Sequence, residues 1–269
     1  MELKNKLATL DDRLAKYTGL VIGFSGGVDS TFLISEAYKV LQDKVLAVTV
    51  DSVFCPQREL KEADKLAAAI GIRHLVLQVN PLSDKTVAAN PADRCYYCKK
   101  KIFSELLAIA RKEGFAYVAD GSNVDDDKDY RPGRKALQEL KIVSPLYEAG
   151  LTKADIRQLS RERQLPTWQK ESAACLASRI PYGEELTMEK LHRVEEAEAF
   201  LMPLGLKHLR VRSHGQMARI EVAETDLPKI LAEPLRTEIV TYFKKIGFKF
   251  VTLDLEGYRT GSLNEVLPK

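Results

Sequence analysis

A chain of 269 residues with 41 Lys and Arg against 38 Asp and Glu is long enough for one sizeable α/β core plus a smaller second unit. Its net charge of +3 gives no general nucleic-acid footprint, and no apolar run reaches membrane-spanning length. Four cysteines without a secretory signal point to the cytoplasm, where thiols bind metal or react more often than they pair.

In chain order, "MELKNKLATLDDRLAKY" reads as an amphipathic helix with Leu3, Leu7, Leu10 and Leu14 on one face, packed on the core or on another subunit. "VIGFSGGVDSTFL" then reads as strand, tight loop and helix. "VLAVTVDS" and "HLVLQV" read as strands around the helix "ELKEADKLAAAIG". The helix "KKKIFSELLAIARKEG", the strand "AYVADGS" and a short strand "IVSPL" follow, before "TKADIRQLSRERQL", which opens on a capping-box pattern at Thr152 and Asp155.

Alternating strands and helices predict an α/β domain with a doubly wound parallel sheet, and the loops at Ser25, Asp51 and Gly121 should share the crevice at the strand ends. After "PYGEEL" a long helix, the hairpin "HLRVRSHGQMARIEV", more helix and the strand "FKFVTLDL" predict a smaller α+β domain. The expected domains are residues 1–183 and 184–269.

The loop over residues 25–30 has the chemistry of an anion cradle. Gly26 and Gly27 remove side chains that would hold a phosphate off, Ser25 and Ser30 add hydroxyls, and the next helix begins with unsatisfied N–H groups. Asp29 repels phosphate unless a divalent cation lies between them, so the loop reads as phosphate plus magnesium. A plain glycine turn is the alternative. The loop is neither a Walker pattern nor a dinucleotide fingerprint. It resembles the SGGxDS pyrophosphate loop of the ATP pyrophosphatases, which include GMP synthetase, NAD synthetase and tRNA-thiolating enzymes. That resemblance implies cleavage of ATP between the α and β phosphates and adenylation of a substrate oxygen.

"PADRCYYCKKKIF" places Cys95 and Cys98 ahead of, or on, the first turn of a helix, where the dipole and the lysines at 99–101 favour thiolate. The CxxC alone leaves open a metal or cluster site, a redox pair and simple packing. Cys175, in "ESAACLASRIPYG", is a third ligand or a gap-filler. Cys55 reads as packing or as a spectator near the nucleotide. Asp51 and Ser52 are placed to meet adenosine; Gly121, Ser122 and Asn123 resemble the second nucleotide loop of the superfamily. Asp125, Asp126, Asp127 and Asp129 read as a solvated run, one of which could reach magnesium. The four histidines form no ligand-spaced pair and read as surface or packing residues.

The pyrophosphate loop, "DYRPGRKAL", "CLASRIPYG", "LRVRSHGQMARIE" and "GFKFVTLDLEGYRTGSLNE" together resemble the LarE family of ATP-dependent sulfur transferases, over nearly the whole chain. The resemblance implies adenylation of a carboxylate of pyridinium-3,5-biscarboxylic acid mononucleotide by Mg-ATP and its conversion to a thiocarboxylate, in nickel-pincer cofactor biosynthesis. One form of the family sacrifices its own cysteine, which would fall at Ala174, so this chain lacks it. In a second form a CxxC pair and a third cysteine hold a [4Fe-4S] cluster, and Cys95, Cys98 and Cys175 match that set. Lys99, Ser178 and Arg179 match family positions near the activated carboxylate. Arg131 is assigned to the same carboxylate pocket, and Arg210 and Arg212, on one strand face, suit bidentate capture of the substrate phosphate, or are simply a solvent-exposed strand face. The resemblance also implies a small-molecule mononucleotide partner, a sulfide donor and a homo-oligomer. The competing readings are a tRNA thiolase with the same three-cysteine cluster, and a nucleotide-binding regulator with structural zinc.

Overall fold

The computed structural model describes residues 2–128, 132–171 and 175–267. Its regular elements, in order, are α1 (Glu2–Leu14), β1 (Leu20–Gly23), α2 (Val28–Leu41), β2 (Val45–Asp51), α3 (Gln57–Ile70), β3 (Arg73–Gln78), α4 (Lys85–Ala88) and α5 (Arg94–Glu113). Then come β4 (Tyr117–Ala119), α6 (Gly133–Glu139), α7 (Pro145–Glu148), α8 (Lys153–Glu162) and α9 (Met188–Leu201). The chain ends with β5 (Arg210–His214), β6 (Met217–Glu221), α10 (Leu227–Leu231), α11 (Leu235–Lys245) and β7 (Phe250–Leu253). Two compact units result: Met1–Pro81 with Asp93–Ala173, and Leu82–Ala92 with Ala174–Lys269.

The first unit is an α/β fold whose four parallel strands run in the order β3-β2-β1-β4. Strands β1 and β2 are buried along most of their length, as strands covered on both faces require, and read as near-continuous apolar runs. The chain moves outward from β1 to β3, then returns to place β4 on the other side of β1. The strand order therefore reverses beside β1, and the crevice beyond its carboxyl end is the expected ligand position. Helix α1 belongs to this core: Leu10 and Leu14 are fully buried against it, with Leu3 and Leu7 partly so. The expected strand at "IVSPL" shrinks to one bridge between Ala119 and Val143, because Pro145 has no N–H to donate and instead opens α7.

The second unit has a three-stranded sheet in the order β5-β6-β7, antiparallel in its first pair and parallel in its second. Val211, Ala218, Ile220, Phe243 and Phe248 form its core. The division falls at residue 174 instead of 184, and the detour Leu82–Ala92 belongs with the second unit. Hydrogen bonds explain both differences. The fully buried Asn90 donates from its side chain to the carbonyls of Pro181 (2.7 Å) and Glu184 (3.1 Å), and accepts Gly183 N–H on its own carbonyl (2.8 Å). Leu186 N–H reaches Ala88 O in the same way, at 2.8 Å.

Candidate functional site

Residues 25–30 leave β1 and enter α2 through a loop that only small residues can form. Gly26 has φ +68°, and a Cβ on it would lie 3.3 Å from the Cβ of Ala63 in α3. Gly121, just past β4, comes so close from the other side that a Cβ there would lie 3.2 Å from Ser30 N. Within the loop the Ser25 and Ser30 hydroxyls are 3.2 Å apart, Ser30 Oγ donates to Gly27 O (3.2 Å), and Gly27 N–H donates to Ser25 Oγ (3.4 Å). Gly27 caps α2 without a side-chain acceptor, so the first-turn N–H groups are left for a ligand.

Asp29 stands in that first turn. Its Oδ2 accepts from Lys153 Nζ at 2.5 Å, while its Oδ1 is buried with no hydrogen-bond partner. Burial pushes its pKa up, with Asp126 adding to the rise; Lys153 opposes it. Lys153 is the first residue of α8, whose N-terminus is fixed by the Thr152–Asp155 capping box and by Lys153 N–H donating to Asp125 Oδ2 (2.8 Å). Among its described residues the acidic run is solvated only in part: Asp127 is exposed and Asp125 partly so, while Asp126 turns inward. Asp126 is buried and accepts Asn123 N–H (3.1 Å), and Asp127 accepts from Tyr147 OH (3.0 Å).

At the end of β4 lies a residue passed over in the sequence, Asp120. It is buried, and its carboxylate takes hydrogen bonds from Ser144 Oγ (2.6 Å) and Ser122 Oγ, with Lys99 Nζ 3.7 Å away. The Ser122 hydroxyl is thus turned toward Asp120. At the end of β2, Asp51 accepts from Gln78 (2.6 Å) and Gln57 (3.0 Å), and Ser52 Oγ accepts Phe54 N–H (3.3 Å). Cys95 lies in the first turn of α5 and Cys98 one turn on, the former exposed and the latter partly so. Lys99, next to Cys98, is pressed against α6: a Cβ on Gly133 would lie 2.7 Å from Lys99 Cδ.

In the second unit, exposed Cys175 opens a short 3₁₀ turn. Its carbonyl accepts from Ser178 Oγ (2.7 Å) and from Arg179 Nη1 (3.2 Å). Arg179, only 2% exposed, is clamped by Glu198 of α9 at 2.8 and 3.1 Å. Arg210 and Arg212 do share a face of β5, but Arg212 is buried instead of solvent-facing. It pairs with Glu221 at 2.9–3.0 Å and donates to Ser178 O (2.7 Å) and Ser262 Oγ (3.1 Å). A buried guanidinium requires such partners. Arg210 lies over Tyr258, and burial and the charge of Arg179 push its pKa below the usual arginine value.

Arg131, Asp129 and Ala174 lie outside the described residues. Cys55 is partly buried, is in no disulfide, and its thiol donates to Pro56 O at 3.8 Å. His74 bonds Thr49 Oγ1 (2.8 Å) and His208 stacks on Tyr258, packing roles both. Among the described residues no three His, Cys, Asp or Glu side chains are gathered into a metal-binding group.

A family model described as NAD synthase matches residues 3–100. The chain is 38% identical over 268 residues to the pyridinium-3,5-bisthiocarboxylic acid mononucleotide synthase of Lactiplantibacillus plantarum, covering 99% of this chain and 96% of that one. The chain belongs to the LarE family. It is also 42% identical over 267 residues to an uncharacterised Synechocystis protein, covering 99% of this chain and 100% of the relative. A Methanocaldococcus jannaschii protein, likewise uncharacterised, is 32% identical over 266 residues, or 97% of this chain and 100% of its own. Membership in the LarE family makes the chain an ATP-dependent sulfurtransferase with a pyrophosphate-loop α/β unit. No helix among the described residues is long and apolar enough to cross a membrane.

Proposed function

We propose that this enzyme adenylates a carboxylate of pyridinium-3,5-biscarboxylic acid mononucleotide with Mg-ATP and converts the acyl-adenylate to a thiocarboxylate. The observation that carries this reading is the end-to-end similarity to a synthase of the bisthiocarboxylic product. The uncapped amides at the start of α2 would receive pyrophosphate, and the orphaned buried Oδ1 of Asp29 would hold a magnesium ion that neutralises its charge. Asp51, Ser52, Gly121 and Ser122 line the strand ends where adenosine is expected. Lys99 and Ser178 are assigned to the carboxylate, with Arg131, and buried Arg179 acts by holding the turn of Cys175 and Ser178; Arg210 is assigned to the phosphate of the mononucleotide, with Arg212 behind it on β5. The chain's task is positioning and charge neutralisation, together with exclusion of water from the acyl-adenylate.

Cys95, Cys98 and Cys175 are the residues that would hold a [4Fe-4S] cluster. The donor set fits in chemistry: three cysteines outside any disulfide, two of them one turn apart at the start of a helix whose dipole favours thiolate. Such a cluster, with three protein ligands, supplies replaceable sulfur. Its sulfide donor is external, and the enzyme works as a homo-oligomer in the cytoplasm.

The test is anaerobic purification of the protein and its Cys175→Ala variant, with iron, acid-labile sulfide and visible absorption measured. Pyrophosphate release is then followed with and without the mononucleotide. About four irons and four sulfides per chain, lost in the variant, support the reading. A colourless, iron-free protein after anaerobic reconstitution sinks the cluster. Pyrophosphate release that ignores the mononucleotide sinks the substrate.

A further inference from the structure

The contact between Lys153 and Asp29 has no place in the scheme above, and it poses an electrostatic problem. Asp29 sits in the first turn of the helix whose amides receive phosphate, so a phosphate arriving alone meets a carboxylate. In the structure that carboxylate is half satisfied: Oδ2 holds the ammonium of Lys153 at 2.5 Å, and Oδ1 is buried without a hydrogen-bond partner. An orphaned carboxylate oxygen beside an anion cradle is suited to a divalent cation. One side of the carboxylate is thus already taken by a monovalent cation on a flexible stem.

The position of Lys153 is fixed by its backbone independently of the contact its head group makes with Asp29. The capping box and the hydrogen bond from Lys153 N–H to Asp125 fix the start of α8, and Lys6 anchors the capping residue Asp155 at 2.9 Å. The ammonium, three donors on four methylenes, is therefore free to change acceptors while the helix stays in place. Ser30, one residue from Asp29, is fixed beside Gly121, so the loop itself has little room to move.

We propose that Lys153 is an exchangeable counter-ion: it occupies Asp29 while the loop is empty, and moves its ammonium to the phosphate oxygens when magnesium arrives with the nucleotide. Asp29 then serves the metal and Lys153 the pyrophosphate. Charge balances in both states, because the dication that takes over Asp29 releases one cation for the incoming anion. This inference rests on the reading of residues 25–30 as a magnesium-nucleotide loop, and not on the identity of the sulfur-accepting substrate.

Exchange predicts opposite changes in two affinities when Lys153 is removed, which a merely structural lysine would not produce. The probes are Mn2+ alone, followed by electron paramagnetic resonance, and pyrophosphate at saturating Mg2+, followed by calorimetry. In Lys153→Met, Mn2+ should bind several-fold tighter, since no competitor sits on Asp29. Pyrophosphate should bind about tenfold or more weakly, since a charged donor is lost. Lys153→Arg should keep both values within a few-fold of wild type. If the Met variant does not fold, Lys153→Gln carries the same two measurements. Affinities that both fall, or that both stay unchanged, overturn the exchange. Wild-type protein that binds no pyrophosphate overturns the loop assignment itself.

Discussion

Both units bury charged side chains, such as Glu36 and Arg94 in the first, but they place the charge that concerns the site differently. In the pyrophosphate-loop unit the sheet is apolar, and the carboxylates of the site stand at strand ends: Asp51 at the end of β2, Asp29 after β1 and Asp120 after β4. In the second unit the charge is inside: Arg179 with Glu198 and Arg212 with Glu221 form buried pairs joined through Ser178. A buried pair yields little net stability relative to apolar packing, yet breaking one is costly. The comparison teaches that the first unit presents chemistry on loops carried by a rigid sheet, whereas the second uses buried charge to fix one loop, the turn at Cys175.

The largest expected effect tests the first half of that contrast. Asp29→Asn should abolish ATP-dependent pyrophosphate release while leaving the ligand-free protein at least as heat-stable as wild type, because burial raises the pKa of Asp29. A raised carboxylate pKa means that stability falls as pH rises through the folded value, and the Asn variant should lack that fall. Loss of thermal stability in the variant would reverse the assignment of Asp29 as a strained, functional group.

Glu221→Ala should unfold the second unit more easily by about 3–5 kcal/mol, because it strands a buried guanidinium; replacing Arg212 and Glu221 together by apolar residues should cost much less. Equal costs, read from denaturant midpoints, would make the pair ordinary packing. Next in size is Asn90→Ala, expected to cost about 1–3 kcal/mol by removing the side-chain donor to the carbonyl of Glu184 and leaving that of Pro181 with only the Glu184 N–H. The smallest effect concerns His214, whose pKa burial and then Arg219 hold below 6.5. A lowered value means stability that is present above pH 6.5 and lost as pH falls through the folded pKa. His214→Gln should flatten that loss between neutral and mildly acidic pH, as seen in melting temperatures.

The strand-loop-helix at Ser25, the CxxC at the start of α5, the buried leucines of α1 and the β5-β6 hairpin were legible in the sequence, because each is written in local spacing. Arg212 was legible only by face. Alternation tells which residues share a side of a strand, but not whether helices and strands from elsewhere cover that side with a Glu221. Lys153 and Asp120 gave no signal for a similar reason. One looks like a helix-start lysine and the other like the end of a strand, until a contact 124 residues away in sequence joins Lys153 to Asp29, and two serines converge on Asp120. The acidic run misled at Asp126 because its composition is that of a surface while its backbone bonds are those of a turn.

The detour Leu82–Ala92 carries a consequence for dissection of the gene. Since the second unit takes Asn90 from a position well before its main segment, no single cut yields two complete pieces. A fragment begun at residue 174 arrives without the asparagine that fastens Pro181 and Glu184, and the complementary fragment carries an eleven-residue loop stripped of its partners. The turn bearing Cys175 therefore cannot be transplanted as a cassette, and must be inherited together with the chain that leads into the Cys95 helix.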